Sequence, residues 1–196
     1  MPNMLTWDEL NIQYPSYPNY TVGDSHLLTR PIEYIVIHHA GASVHVNQTA
    51  MQIHNFHKSR GWAGIGYHFW IEFDGTVSAG RSLGHRGAHV GPEYNGRSWG
   101  IGLAGNFNIG TPTKAQWESL VALTGHLKEN APHAKIVGHS HLQSTSCPGK
   151  LDVVKLRREV EGDGLSVPHH IHQEALQEIE RLESIIGRII DVTKEA

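Results

Sequence analysis

Val137-Gly138-His139-Ser140-His141-Leu142-Gln143-Ser144-Thr145-Ser146-Cys147-Pro148-Gly149 holds the only cysteine of the chain, eight residues after a histidine. Eight residues exceed one helical turn and suit no regular strand, so His139 and Cys147 bracket a loop. Pro148 pushes Cys147 out of helical geometry, and Gly149 loosens the chain behind it. A cysteine in an extended polar loop, with histidine in reach, suits thiolate chemistry. The competing reading is a small buried hydrophobe, which is what most free cysteines are.

A second stretch weighs against burial alone. Tyr34-Ile35-Val36-Ile37-His38-His39-Ala40-Gly41 is a short β-branched run that ends in two histidines and a glycine, the pattern of a buried strand. Side chains alternate along a strand, so His38 and His39 point to opposite faces and only one of them meets His139 and Cys147. Two imidazoles and one thiolate are three ligands for a tetrahedral zinc, with the fourth position left to water. Three protein ligands and an open position mark a catalytic rather than a structural zinc site.

Four motifs, IVIHH, GYHFWIEFDGTV, WGIGLAGNF and GHSHLQSTSCPG, lie in this order over roughly residues 30–160. Together they resemble the zinc-dependent N-acetylmuramoyl-L-alanine amidases, a family that includes phage endolysins and peptidoglycan recognition proteins. The resemblance implies an α/β fold, Zn2+ as cofactor and bacterial peptidoglycan as partner. It assigns His38, His139 and Cys147 as zinc ligands. Tyr67 falls on the family's tyrosine and Thr145 on a position held there by lysine or threonine, so both are expected to stabilise the oxyanion of amide hydrolysis. His39, Arg86 and His89 are expected to line the substrate groove. No HExxH glutamate is present, and no residue is identified as general base.

With 196 residues, 39% hydrophobic and 18% charged, the chain is an ordinary globular one, long enough to bury a core without disulfides. A formal net charge of −3 gives no electrostatic footprint for nucleic acid. Met1 to Asp8 lacks a basic start and an apolar core, so no secretory signal is expected. No run approaches the ~18 apolar residues of a membrane span, and membrane insertion is not expected. These features fit an enzyme made in the cytoplasm and released to the wall by separate means, as in phage or prophage lysis.

Residues 1–30 read as an irregular arm with a short helix near Trp7 to Ile12. Residues 31–160 form the catalytic domain, a mixed sheet of about five strands flanked by helices. Strands are expected at 32–38, 66–73, 76–80, 99–106 and 135–138. Helices are expected from Asn47 or Thr49 to Ser59, after the Thr113/Gln116 capping box, and over 152–160. His54 and His57 are spaced like ligands but lack a third partner, so they are expected on the surface or in the groove. His68, opposite in parity to Tyr67, is expected to be structural. Residues 81–97 read as a polar surface loop.

Residues 161–168 form a linker, and 169–196 a separate amphipathic helix. Ala175, Ile179, Leu182, Ile186 and Ile189 make a heptad seam, for which self-association into a homo-oligomer is preferred over docking on the same chain. Three other readings compete with hydrolysis by zinc, one of them a structural or interaction protein acting through the C-terminal helix, which would leave His38, Tyr67, His139 and Cys147 unexplained. A non-catalytic recognition module would not need Cys147 and Tyr67 together. A peptidase with Cys147 as nucleophile would leave His38 idle.

Overall fold

The computed structural model describes residues 7–162, and the C-terminal helix with its seam lies outside the described residues. Five strands form one sheet: β1 (Tyr34–His39), β2 (Phe69–Ile71), β3 (Val77–Ala79), β4 (Ser98–Leu103) and β5 (Lys135–Gly138). Their order is β3-β2-β4-β1-β5. β1 pairs in parallel with both β4 and β5, β2 pairs in parallel with β4, and β3 closes the edge antiparallel to β2. Helices α1 (Ala50–Ser59), α2 (Pro92–Asn95), α3 (Lys114–Asn130) and α4 (Val153–Glu161) complete the unit. This is an α/β fold with a mixed five-stranded sheet, as expected.

Parallel strands covered on both faces read as continuous apolar runs rather than alternating ones. In β1, Ile35, Val36 and Ile37 are all fully buried, yet their parity divides them between two layers. Ile35 and Ile37 pack with Leu120, Leu123 and Leu127 of α3 and Leu156 of α4. Val36 faces Val90 and Val137 on the other side. His38 shares the parity of Val36, whereas His39 shares that of Ile35 and Ile37. On the His38 side, α1 packs Ala50 and Ile53 with Ile65, Trp70 and Ala104.

Both long helices start at capping boxes. Thr49 accepts from the Gln52 N–H while Gln52 accepts from Thr49, and Thr113 and Gln116 do the same for α3. Each box satisfies two of the donors a helix N-terminus leaves open. The arm lies along the edge: Gln13 donates its N–H to Val77 O and accepts from Ala79 N–H. It thereby covers the exposed side of β3. Leu10 is buried in the core.

Three expectations change. The helix near Trp7 to Ile12 does not form, and turn structure occupies residues 7–10. β2 is three residues long instead of spanning 66–73, because Gly66 N–H donates to His57 Nδ1 and Gly66 O accepts from Ala88 N–H. The loop 81–97 contains the single turn α2, started by Pro92.

Candidate active site

In a parallel sheet the carboxyl ends of the strands are where ligands bind. β1 ends in His38-His39, and β5 ends at Gly138, from which a single 3-10 turn carries His139. The loop back to α4 brings Cys147 between them, with Ser140 N–H donating to Cys147 O. His38, His139 and Cys147 offer ligand atoms that all lie within 4.8 Å of one another, and among the described residues this is the one such group. Cys147 Sγ is 3.7 Å from His38 Nδ1. Zinc bonds of about 2.3 Å to sulfur and 2.0–2.1 Å to nitrogen, at a tetrahedral angle, put ligand atoms roughly 3.5 Å apart. The donor set therefore fits zinc.

The electrostatics keep the nitrogen ligands neutral. Burial, together with His139 and His39 nearby, holds His38 far below the usual histidine range. Partial burial lowers His139, opposed by a hydrogen bond to Gln143. Both imidazoles thus offer lone pairs at neutral pH. Burial pushes the Cys147 thiol up to about 11, offset by the His39 N–H that donates to Sγ at 3.4 Å. A thiol so raised is protonated at neutral pH and a poor free nucleophile, and a cation beside it is what would draw out the thiolate.

Tyr67 lies just before β2 with its ring 5.3 Å from that of His38. Burial and the nearby Cys147 push its phenol well above the ordinary value, so the hydroxyl stays a donor. β4 makes room for this arrangement, because a Cβ on Gly102 would lie 2.5 Å from the Trp70 ring and 3.1 Å from that of Tyr67. Thr145 is exposed, and its Oγ1 accepts from Cys147 N–H at 3.2 Å. It is thus a turn-capping hydroxyl whose own proton remains to be donated.

The three expected groove residues separate. Arg86 is exposed and lines a cleft of about 320 Å³ with His26, Trp62, Arg81, Pro92 and Asn95. His39 is not in a groove: it is 5% exposed on the opposite face, and its Nδ1 accepts from Phe107 N–H at 2.8 Å. The alternation of β1 that delivers His38 to the site takes His39 away from it. His89 is also displaced from the expected role. It stands behind His38, with its Nδ1 2.9 Å from His38 Nε2.

His54 and His57 are buried rather than on the surface. Their Nδ1 atoms accept from Ile65 and Gly66 N–H and tie the segment before Tyr67 to α1. His68 is structural, as expected: Nδ1 accepts from Gly100 N–H and Nε2 donates to His85 O. Gln143, not singled out in the sequence, places Oε1 3.3 Å from His139 Nε2. The four-residue spacing of His139 and Gln143 is the signal that could have found it.

Residues 28–150 match the family described as N-acetylmuramoyl-L-alanine amidase. The chain belongs to this family. Among relatives of this amidase-family chain, peptidoglycan recognition protein 1 of Bos indicus is 32% identical over 134 residues, 64% of this chain and 70% of its own length. An endolysin of Klebsiella phage KP32 is 34% identical over 119 residues, 58% of this chain and 78% of its own. Among solved structures, the N-acetylmuramoyl-L-alanine amidase LysC from Clostridium intestinale URNW superposes with a TM-score of 0.68 at 34% identity. That match covers 76% of this chain and 97% of LysC. The amidase family thus reaches this chain through both lytic and recognition proteins. No helix among the described residues is long and apolar enough to cross a membrane.

Proposed function

We propose that the chain is a zinc-dependent N-acetylmuramoyl-L-alanine amidase, which hydrolyses the amide between muramic acid and the first alanine of the peptidoglycan stem. The observation that carries this reading is the convergence of His38, His139 and Cys147 within 4.8 Å, beside a protonated tyrosine. When bound, zinc supplies Lewis acidity and an acidified water, whose pKa falls to about 7.

The remaining roles belong to the chain. His38 and His139 present neutral nitrogen lone pairs, and Cys147 presents sulfur held by the His39 N–H. Tyr67 donates its phenolic proton as a hydrogen bond to the carbonyl oxygen of the scissile amide, where negative charge develops. Donors placed at that position act more strongly in a dry site than in water. Thr145 is the second donor, exposed and without charge, and contributes less. Arg86 in the cleft beside Trp62 offers a guanidinium to the anionic groups of the stem peptide.

A recognition module without catalysis is the second reading, supported by the likeness to peptidoglycan recognition proteins. Retention of both Cys147 and Tyr67 favours the enzyme. Digestion of purified peptidoglycan followed by mass spectrometry separates the two. New N-terminal alanine with intact glycan strands is the expected product, and wall binding that yields no new termini would make the chain a recognition module. Release through phage or prophage lysis completes the proposal, consistent with the endolysin relative.

A further inference from the structure

We propose that His89 and Ser98 are positioning residues that hold His38 with its proton on Nε2, so that the Nδ1 lone pair is the one presented to the metal. The direction of each hydrogen bond follows from the one before it. Ser98 is fully buried at the start of β4, and its hydroxyl donates to Tyr94 O at 2.7 Å. A hydroxyl has one proton, so toward His89 Nε2, 3.5 Å away, Ser98 Oγ can only accept. His89 therefore carries its proton on Nε2, and its Nδ1 is bare. His38 Nε2, 2.9 Å from that bare nitrogen, must then be the donor. One proton remains for the neutral His38 ring, and it is now placed, which leaves Nδ1 unprotonated 3.7 Å from Cys147 Sγ. Reversing this relay would give up the 2.7 Å bond from Ser98 Oγ to Tyr94 O for one at 3.5 Å to His89 Nε2.

Two glycines leave the room that this ring fills. A Cβ on Gly87 would collide with His89 Cδ2, and one on Gly100 would lie 2.6 Å from His89 Cγ and Nδ1. His89 N–H donates to Asn95 Oδ1 at 2.9 Å, which anchors the backbone under the ring. The two histidine ligands thus differ in how they are oriented. His38 is set by a part-buried relay that ends on a backbone carbonyl, and His139 by the exposed Gln143. Partners of this kind fix the ring of a metal-binding histidine, and losing one typically weakens metal binding about 10- to 100-fold.

The consequence for zinc rests on the reading under Proposed function, whereas the tautomer does not, and the test keeps the two apart. In the full chain freed of metal and labelled with 15N, long-range proton–nitrogen correlations should show His38 protonated on Nε2. His89→Leu should give a mixture of His38 tautomers and bind zinc about 10- to 100-fold more weakly, read by competition with a chromophoric chelator. His89→Asn, whose Oδ1 can stand where Nδ1 stood and accept, should restore the tautomer and most of the affinity. Ser98→Ala removes one oxygen and serves if the leucine variant does not fold; it should also release the tautomer. An unchanged His38 tautomer and unchanged zinc affinity in both His89→Leu and Ser98→Ala would overturn the relay. A parent that binds no zinc, yet shows the Nε2-protonated His38 that His89→Leu loses, would overturn the zinc reading and support the relay.

Discussion

Tyr67 is the group whose removal should separate chemistry from metal binding, because its ring lies against that of His38 while His38, His139 and Cys147 already supply three ligand atoms. Tyr67→Phe keeps the packing against Trp70 and His57 and loses only the donor. Turnover of purified peptidoglycan should fall about 100- to 1,000-fold with zinc content unchanged, and turnover at the parent's rate would make the tyrosine a packing residue. Thr145→Ala should cost less, and part of its effect should be slower metal uptake, since Thr145 Oγ1 also holds the Cys147 N–H. Cys147→Ser should cut bound zinc sharply in elemental analysis, because a hydroxyl is a far weaker ligand than a thiolate. At this scale the sequence is most informative where parity and spacing speak together. His38 and His39 occupy opposite faces as alternation requires, and the loop from His139 to Cys147 closes as its proline and glycine suggest. The place of His89 is out of reach of such reasoning, because it depends on how the 81–97 loop folds back on the sheet.

Among the elements, β4 shows that glycine is the signal left unread. It places Gly100 and Gly102 on one face, and a Cβ at either would meet a ring of the site, His89 for the first and Trp70 for the second. Alternating glycines inside a buried strand mark close approach by bulky groups. Gly102→Ala should therefore destabilise the fold by about 1–3 kcal/mol through overpacking, seen as a lower urea midpoint, and should depress activity further by shifting Tyr67. An unchanged midpoint would mean that the rings have room to move. Helix starts and the β5 strand are legible, since capping boxes and a short apolar run before a histidine are local features. Alternation overextends β2, because it continues through Gly66 and Tyr67 while the backbone bonds of Gly66 go to α1 and to Ala88. The same histidines that look like surface groups, His54 and His57, are acceptors for Ile65 and Gly66 N–H, a role that composition does not signal.

Across the whole molecule, buried neutral histidines link stability to acidity. Burial, with Arg81 and other charges nearby, lowers His57 to about 4, and burial lowers His68 to about 4; His38 and His89 are held well below the ordinary value. In the unfolded chain each titrates near ~6.5. Between these values the unfolded state binds more protons than the folded one, so stability rises with pH across that window and falls on acidification. The stabilisation is fully present above about pH 6.5 and is lost progressively as pH falls towards about 4. A group shifted from 6.5 to about 4, such as His68, loses on the order of 3 kcal/mol over the full window. Urea unfolding of the chelator-treated chain at about pH 7 and about pH 4.5 isolates this from metal release, and the midpoint should drop markedly at the lower pH. His68→Asn, which keeps an acceptor for Gly100 N–H but has no titrating ring, should narrow the difference between the two pH values. Equal midpoints under both conditions would mean that the buried rings accept protons in the folded state, and that their hydrogen bonds to Gly66 and Gly100 do not hold them neutral.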